Sequence, residues 1–179
     1  MINTFFTSDT HFFHKSIMRF CPETRAGADA DEMTDLLIQS WNEQVGPHDH
    51  VWHLGDVSFG QSEKTARALN KLNGVIHLVK GNHDDRNMMN HIAGRFDSVQ
   101  DYKYLRLNGN KFVLFHYPIK EWNSCQHGSI HLYGHVHGRD VGLDGKCMDV
   151  GIDTRSNFKL YTEEEILTIM EDKPVVGHH

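Results

Sequence analysis

Six short apolar segments punctuate the chain at 2–8, 50–54, 74–79, 111–115, 130–133 and 146–150, each of strand length. Between several of them the apolar spacing turns helical. Met33, Leu36, Leu37, Trp41 and Val45 repeat at helical spacing in a segment with acidic residues at its start, which predicts an amphipathic helix over 31–45, ended by Gly46-Pro47. Ala66, Leu69 and Leu72 form one stripe over 62–72, with Asn73-Gly74 as the stop signal. A weaker helical pattern covers 85–94. Thr162 and Glu165 have capping-box spacing ahead of Ile166, Leu167, Ile169 and Met170, so a last short helix is expected there. Strands that alternate with helices early and dominate later predict an α/β layered domain with a mixed sheet or sheets.

Composition narrows the class of protein. The chain has 179 residues without internal repeat, low-complexity tract or proline-rich linker, so a single domain over 1–179 is expected. Hydrophobic residues at 39%, charged residues at 23% and a mean hydropathy of −0.52 describe a soluble globular chain rather than a disordered or membrane one. No apolar run approaches the ~18 residues of a membrane span, and the segment from Met1 to Phe6 does not read as a signal peptide. A net charge of −6 disfavours long duplex nucleic acid as a partner. Cys21, Cys125 and Cys147 are odd in number and lack C-x-x-C spacing, which argues against a disulfide framework and a thiolate zinc site. A cytoplasmic location fits best.

The chemistry lies in the histidines and in where the polar residues fall. There are 15 histidines, where an even share among residue types would be about 9, and histidine is the commonest metal-binding side chain. His178 and His179 close the chain and are set aside as a native tail or a tag remnant. The first five apolar runs each lead into a polar cluster: Ser8-Asp9-Thr10-His11, Gly55-Asp56-Val57, Gly81-Asn82-His83-Asp84, His116-Tyr117-Pro118 and Gly134-His135-Val136-His137. Strand carboxyl ends are where ligands bind in open α/β sheets, so five segments can converge on one point. Asp9, His11, Asp56, Asn82, His116, His135 and His137 offer only oxygen and imidazole donors, which suits Mn, Fe, Zn or Ni. Seven donors are too many for one small ion. Two ions sharing a carboxylate would use them, and paired ions are a recurring device for phosphate-ester hydrolysis.

In this order D-x-H, G-D, G-N-H-D, H and G-H-x-H resemble the calcineurin-like metallophosphoesterase superfamily. The stretches Phe6 to His11, His53 to Asp56, His116 to Pro118, His131 to Gly138 and Asp149 to Asp153 are similar to its small phage and bacterial single-domain members. The resemblance covers roughly residues 2 to 170. It implies a layered α/β-β-α sandwich with mixed sheets and a metal site at the strand carboxyl ends. It further implies two divalent ions per chain, one held by Asp9, His11, Asp56 and His137 and the other by Asp56, Asn82, His116 and His135. Manganese is the first expectation. The implied reaction is hydrolysis of phosphomonoesters or phosphodiesters by metal-activated hydroxide, with His83 protonating the leaving group and Asp84 orienting its ring. The sequence departs from these relatives at Phe12-Phe13-His14, which puts an aromatic where small members often carry glycine.

The remaining polar residues are assigned structural roles. His48, His50, His53, His77, His91, His127 and His131 read as ordinary strand-face or surface residues, and Trp52 and Trp122 as packing. Arg19, Arg25 and Arg139 flank the motif loops and on that ground alone are candidate phosphate or nucleotide contacts, so they are left out of the site, and Asp84 has a second reading as a helix N-cap. The expected partner is a small phosphate ester, nucleotides included, and not a membrane. The rival reading is a scaffold that keeps the fold and the metals but not the catalysis.

Overall fold

The computed structural model describes residues 2–176, so the terminal His178 and His179 lie outside the described residues. Two sheets face each other. In the first, β1 (Thr4–Thr7), β2 (His50–His53), β3 (Val75–Val79) and β4 (Ser98–Gln100) run parallel, and β9 (Tyr161–Thr162) pairs antiparallel with β1, giving the order β4-β3-β2-β1-β9. In the second, β5 (Lys103–Leu107) and β6 (Asn110–Leu114) form a hairpin, and β7 (Ile130–Tyr133) and β8 (Cys147–Asp149) continue parallel to β6. A parallel bridge between Ser8 and Gly151 joins the two sheets just beyond β1 and β8.

Alternation along the strands sorts side chains into layers. Phe5 and Val51 point to the helices, while Phe6 and Trp52 point to the other sheet. In the second sheet Phe112, Leu114, Ile130 and Leu132 face inward, and Val113 and Tyr133 face a small outer cluster with Trp122, Cys125 and Val136. That outer face is covered by the segment following β6, in which Cys125–His127 form a 3-10 turn. Helices α1 (Ile17–Phe20), α2 (Ala30–Gln44), α3 (Ser62–Leu69) and α4 (Arg86–Ile92) lie in the stretches preceding and linking the parallel strands. α2 buries Met33, Leu37 and Trp41 completely, each contributing roughly 1.5–3 kcal/mol of apolar burial. Its N-terminus is capped by Asp29, whose carboxylate accepts the Asp31 and Glu32 N–H groups at 2.9 Å. The last helix, α5 (Glu163–Glu171), carries the expected capping box between Thr162 and Glu165 and inserts Ile166 and Met170 between the sheets. No described helix is long and apolar enough to cross a membrane.

The predicted strands and the four predicted helices are present, with ends moved by a few residues. Strands β4, β5 and β9 and the single-turn α1 add to them. The third predicted helix is capped by Asp85, which accepts the Met88 N–H at 2.8 Å, so the capping role considered for Asp84 falls to its neighbour.

Two of the histidines read as ordinary strand-face or surface residues are buried and locked in one tautomer. His53 accepts the Gly55 N–H at Nδ1 (3.1 Å) and donates from Nε2 to Thr10 Oγ1 (2.9 Å), whose hydroxyl donates to the Val57 carbonyl. His131 accepts the Ile119 N–H at Nε2 (3.2 Å) and donates from Nδ1 to the Val113 carbonyl (3.1 Å). Burial pushes the first down to about 3 and the second down to about 4. A ring that resists protonation only when folded takes up protons on unfolding, so its stabilising neutral form is lost as pH falls from about 6.5 towards 4. For His131 we expect the metal-free protein to lose about 2–3 kcal/mol between pH 7 and pH 4.5 in denaturant titrations. His131→Gln should flatten that slope, and an unchanged slope would contradict the assignment.

Candidate metal centre

Every cluster singled out in the sequence sits just beyond a strand's carboxyl end. Asp9 and His11 follow β1, Asp56 follows β2, Asn82 and His83 follow β3, His116 follows β6, and His135 and His137 follow β7. Backbone bonds carry the sheet pairing into these loops: the Asp9 and His11 N–H groups donate to the Gly55 and Asp56 carbonyls (2.9 and 3.1 Å), and Gly134 N–H donates to the His116 carbonyl (2.9 Å). Asp9, His11, Asp56, His135 and His137 all adopt positive φ between 47° and 71°, a region that non-glycine residues occupy at a cost of about 1–3 kcal/mol unless their surroundings enforce it. Such strain collects at functional sites. Gly134 is required by close approach, since a Cβ there would collide with Ser8 Oγ and Asp9 Oδ2.

The donors meet in two groups. Asp9, His11 and His137 bring one donor atom each within 4.8 Å of one another, and Asp56, His116 and His135 do the same. Asp56 Oδ2 lies 3.7 Å from His11 Nε2 and 3.6 Å from His116 Nε2, so this carboxylate joins the groups. Donors bound at ~2.1 Å to one tetrahedral ion stand about 3.4 Å apart, close to these spacings. Each carboxylate is anchored by its other oxygen: Asp9 Oδ2 accepts the His135 N–H and Asp56 Oδ1 accepts the His83 N–H, both at 2.9 Å.

The inner atoms lack partners that protein could supply. Asp9 Oδ1 and His11 Nε2 are fully buried without a hydrogen bond. An unpaired buried acceptor costs about 1–3 kcal/mol, which a bound cation would offset. His116 donates Nδ1–H to the Leu54 carbonyl at 2.7 Å, so in the neutral ring Nε2 is a lone pair, and it faces Asn82 Oδ1 at 3.1 Å. Two lone pairs at that distance suit a shared cation. His137 donates Nδ1–H to Asp153 Oδ2 at 2.7 Å, which likewise leaves Nε2 free. For Asp9, burial would push the carboxyl up, but His11 and the neighbouring imidazoles hold it down to about 2. Burial lowers His11 and His135, whereas Asp153 raises His137 despite burial. The residues therefore fit divalent cations.

Carboxylates that the sequence reading left out or misplaced complete the site. Asp153 accepts from His137, Thr24 and Arg25, and the arginine pairing is two-pronged, Nε to Oδ1 at 2.7 Å and Nη2 to Oδ2 at 2.6 Å. Arg25 also donates to the Asp9 and Thr10 carbonyls and is 3% exposed, so it is a buried strut of the first loop. Asp149 accepts the Gly138 and Gly151 N–H groups, each at 2.7 Å, and burial pushes it up to about 6. The two acids of the D-V-G-I-D stretch both face the G-H-x-H loop, Asp153 through His137 and Asp149 through the Gly138 N–H. Arg19 and Arg139 bond to Ser16 Oγ and the Val136 carbonyl and do not reach the donors.

Asp84 corrects the expectation drawn from the resemblance. Its carboxylate accepts three backbone N–H groups, from Asp56 (2.8 Å), Val57 (2.9 Å) and Gly81 (2.8 Å), and both oxygens are thereby committed. It clamps the β2 and β3 loops together and does not orient the His83 ring. His83 itself is half-exposed at the mouth of the centre, with Nε2 4.0 Å from Asp56 Oδ2. His14 stacks beside His11, with 3.2 Å between their Nδ1 atoms.

Comparison with known proteins places this geometry. The model of the calcineurin-like phosphoesterase superfamily domain matches residues 3–151, and the chain belongs to that family. The Gene 66 protein of Mycobacterium phage D29 is 34% identical over 183 residues, covering 86% of this chain and 89% of the relative. Among solved structures, the Aquifex aeolicus protein AQ665 superposes with a TM-score of 0.74 at 24% identity, over 94% of this chain and 100% of that one. Yfce, a phosphoesterase from E. coli, superposes at 0.52 with 17% identity, over 90% and 82% of the two chains. Both structural likenesses are of fold.

Removing Asp153 should expose how much the centre leans on it. Asp153→Ala leaves Arg25 buried without its carboxylate and His137 without its acceptor. We expect a loss of about 3–5 kcal/mol in denaturant unfolding of the metal-free protein and, where the variant folds, a 10–100-fold weaker metal affinity by calorimetry. Wild-type values for both would show that the pair is dispensable.

Proposed function

We propose that this chain is a phosphoesterase that holds two divalent ions. One would be bound by Asp9, His11, Asp56 and His137, and the other by Asp56, Asn82, His116 and His135. The observation that carries the reading is the pair of donor groups joined through Asp56, with buried acceptors inside that no protein group satisfies. When bound, the ions would supply Lewis acidity to water and to the phosphoryl oxygens. Manganese is the expected metal, and Fe, Zn or Ni suit the same oxygen and nitrogen donors.

The protein's own residues do the rest. Asp56 places a negative charge between two cationic positions and so reduces their repulsion. Asn82 contributes a neutral oxygen, so the site keeps net positive charge for an anionic ester. The anchored backbone of Asp9, Asp56 and the β7 loop holds the donors in place before substrate arrives, which avoids reorganisation during the reaction. His83 stands at the exposed side and acts as the acid that protonates the leaving oxygen. Substrates are phosphomonoesters or phosphodiesters, nucleotides included, and a cytoplasmic setting accords with a sequence of only three cysteines that lacks C-x-x-C spacing.

The test uses metal-stripped protein re-loaded with Mn, Ni, Zn or Mg and offered p-nitrophenyl phosphate and bis-p-nitrophenyl phosphate. Turnover should vanish on stripping and return with metal. Asn82→Ala should weaken binding of one ion and depress turnover, while His83→Ala should keep two ions per chain and lower kcat by about 10²–10⁴ with esters whose leaving oxygen needs a proton. Activity without metal, or full activity in Asn82→Ala, would overturn the reading, and two bound ions without turnover would favour the scaffold.

A further inference from the structure

With both Asp84 oxygens bonded to backbone, and Asp56 Oδ2 at 4.0 Å and so beyond hydrogen-bond reach, no carboxylate among the described residues orients the His83 ring. The ring packed nearest to it is Phe59, with His11 edge-on farther off at 6.0 Å. The Phe59 and His83 centroids lie 4.5 Å apart with 52° between planes. The same phenyl ring stacks on His14 at 3.8 Å and 15°, and on His11 at 5.1 Å and 13°. Phe59 is 40% exposed, an unusual place for a ring that packs against three histidines of one site.

Its mounting is rigid. Phe59 N–H donates to the Phe12 carbonyl at 2.9 Å, so the ring rides on the loop that presents His11. Ser58 bridges to Phe12 in parallel register, bonds Thr65 Oγ1 at 2.7 Å and accepts the Gly60 N–H at 3.0 Å. These contacts tie the β2 loop to the β1 loop and to the start of α3. The phenyl face is thereby fixed between the Asp9-His11 segment and the His83 segment.

We propose that Phe59 is a positioning residue for proton delivery: its ring holds the His83 imidazole at the leaving-group side, taking the place of the absent carboxylate. This rests on the reading of His83 as the acid. In the step concerned, the water's hydroxyl ends on phosphorus and the bond from phosphorus to the ester oxygen breaks. That oxygen takes the proton from His83, and the ring regains the proton released by the water. A misdirected ring harms this step only when the leaving oxygen needs the proton. Nitrophenolate departs without one, whereas phenolate, the stronger base, depends on it.

The experiment compares wild type, Phe59→Leu, Phe59→Tyr and His83→Ala, all Mn-loaded, on the p-nitrophenyl and phenyl esters of the same phosphate. Phe59→Leu should lower kcat for the phenyl ester at least about 10-fold and for the nitrophenyl ester under about 3-fold, with KM little changed. Phe59→Tyr keeps the ring and should restore the phenyl-ester rate to within about 2-fold. A second readout needs no metal: the His83 Cε1–H resonance of the stripped protein should lose its ring-current shift in Phe59→Leu and keep it in Phe59→Tyr. Equal losses on both esters, or an unmoved resonance, would overturn the positioning role while leaving the acid intact, provided His83→Ala shows the leaving-group dependence. If His83→Ala lacks that dependence, the acid assignment falls and the inference with it.

Discussion

Holding several unsatisfied donors close together, four of them buried, is the constraint on which the rest of this protein depends. Left to themselves, two carboxylates and four imidazoles within a few ångströms would rotate away, hydrate or exchange protons. Here each carboxylate is pinned by one oxygen on a backbone N–H, Asp9 on His135 and Asp56 on His83, so the other oxygen must face inward. The pins cross between loops: residues after β1 hold the loop after β7, and residues after β2 hold the loop after β3. The centre and the alignment of the sheets are therefore one construction.

The same logic explains the polar groups behind the donors. His137 and His116 each spend Nδ1–H on a fixed acceptor, Asp153 and the Leu54 carbonyl, which settles the tautomer and aims Nε2 at the centre. Asp153 can serve because Arg25 balances its charge in the interior. Asp84 answers a different need, since the turns that project Asp56 and Asn82 leave three N–H groups with no sheet partner, and one carboxylate takes all three. The strained φ values of the donor residues persist because these bonds over-determine the backbone.

Histidine shows how context divides one residue type among roles. His53 and His131 are buried, hydrogen-bonded at both nitrogens and held neutral, while His11 is equally buried but has Nε2 unpartnered. A count of histidines cannot separate these cases. What separates them is position: the first two lie within strands, and His11 lies four residues past the end of β1.

Much of the architecture was legible in one dimension, because apolar segments with period-2 or helical spacing must bury the same faces wherever they lie. Met33, Leu37 and Trp41 marked α2, and Thr162 with Glu165 marked the start of α5. The shorter strands were less visible. β5 alternates weakly and is betrayed only by the Asn108-Gly109 turn, whose positive φ values of 47° and 85° build the hairpin. β9 spans two residues and exists because β1 offers it an open edge. The donor types and their place after strands were written in the ordered motifs, since each motif needs only its own strand end. The pairing of Asp153 with Arg25 spans 128 residues, and the packing of Phe59 on His83 also joins separate loops. Local spacing by itself determined which residues could act, while only the tertiary structure decided what orients them, because an orienting group is chosen by closeness in space and leaves no period along the chain.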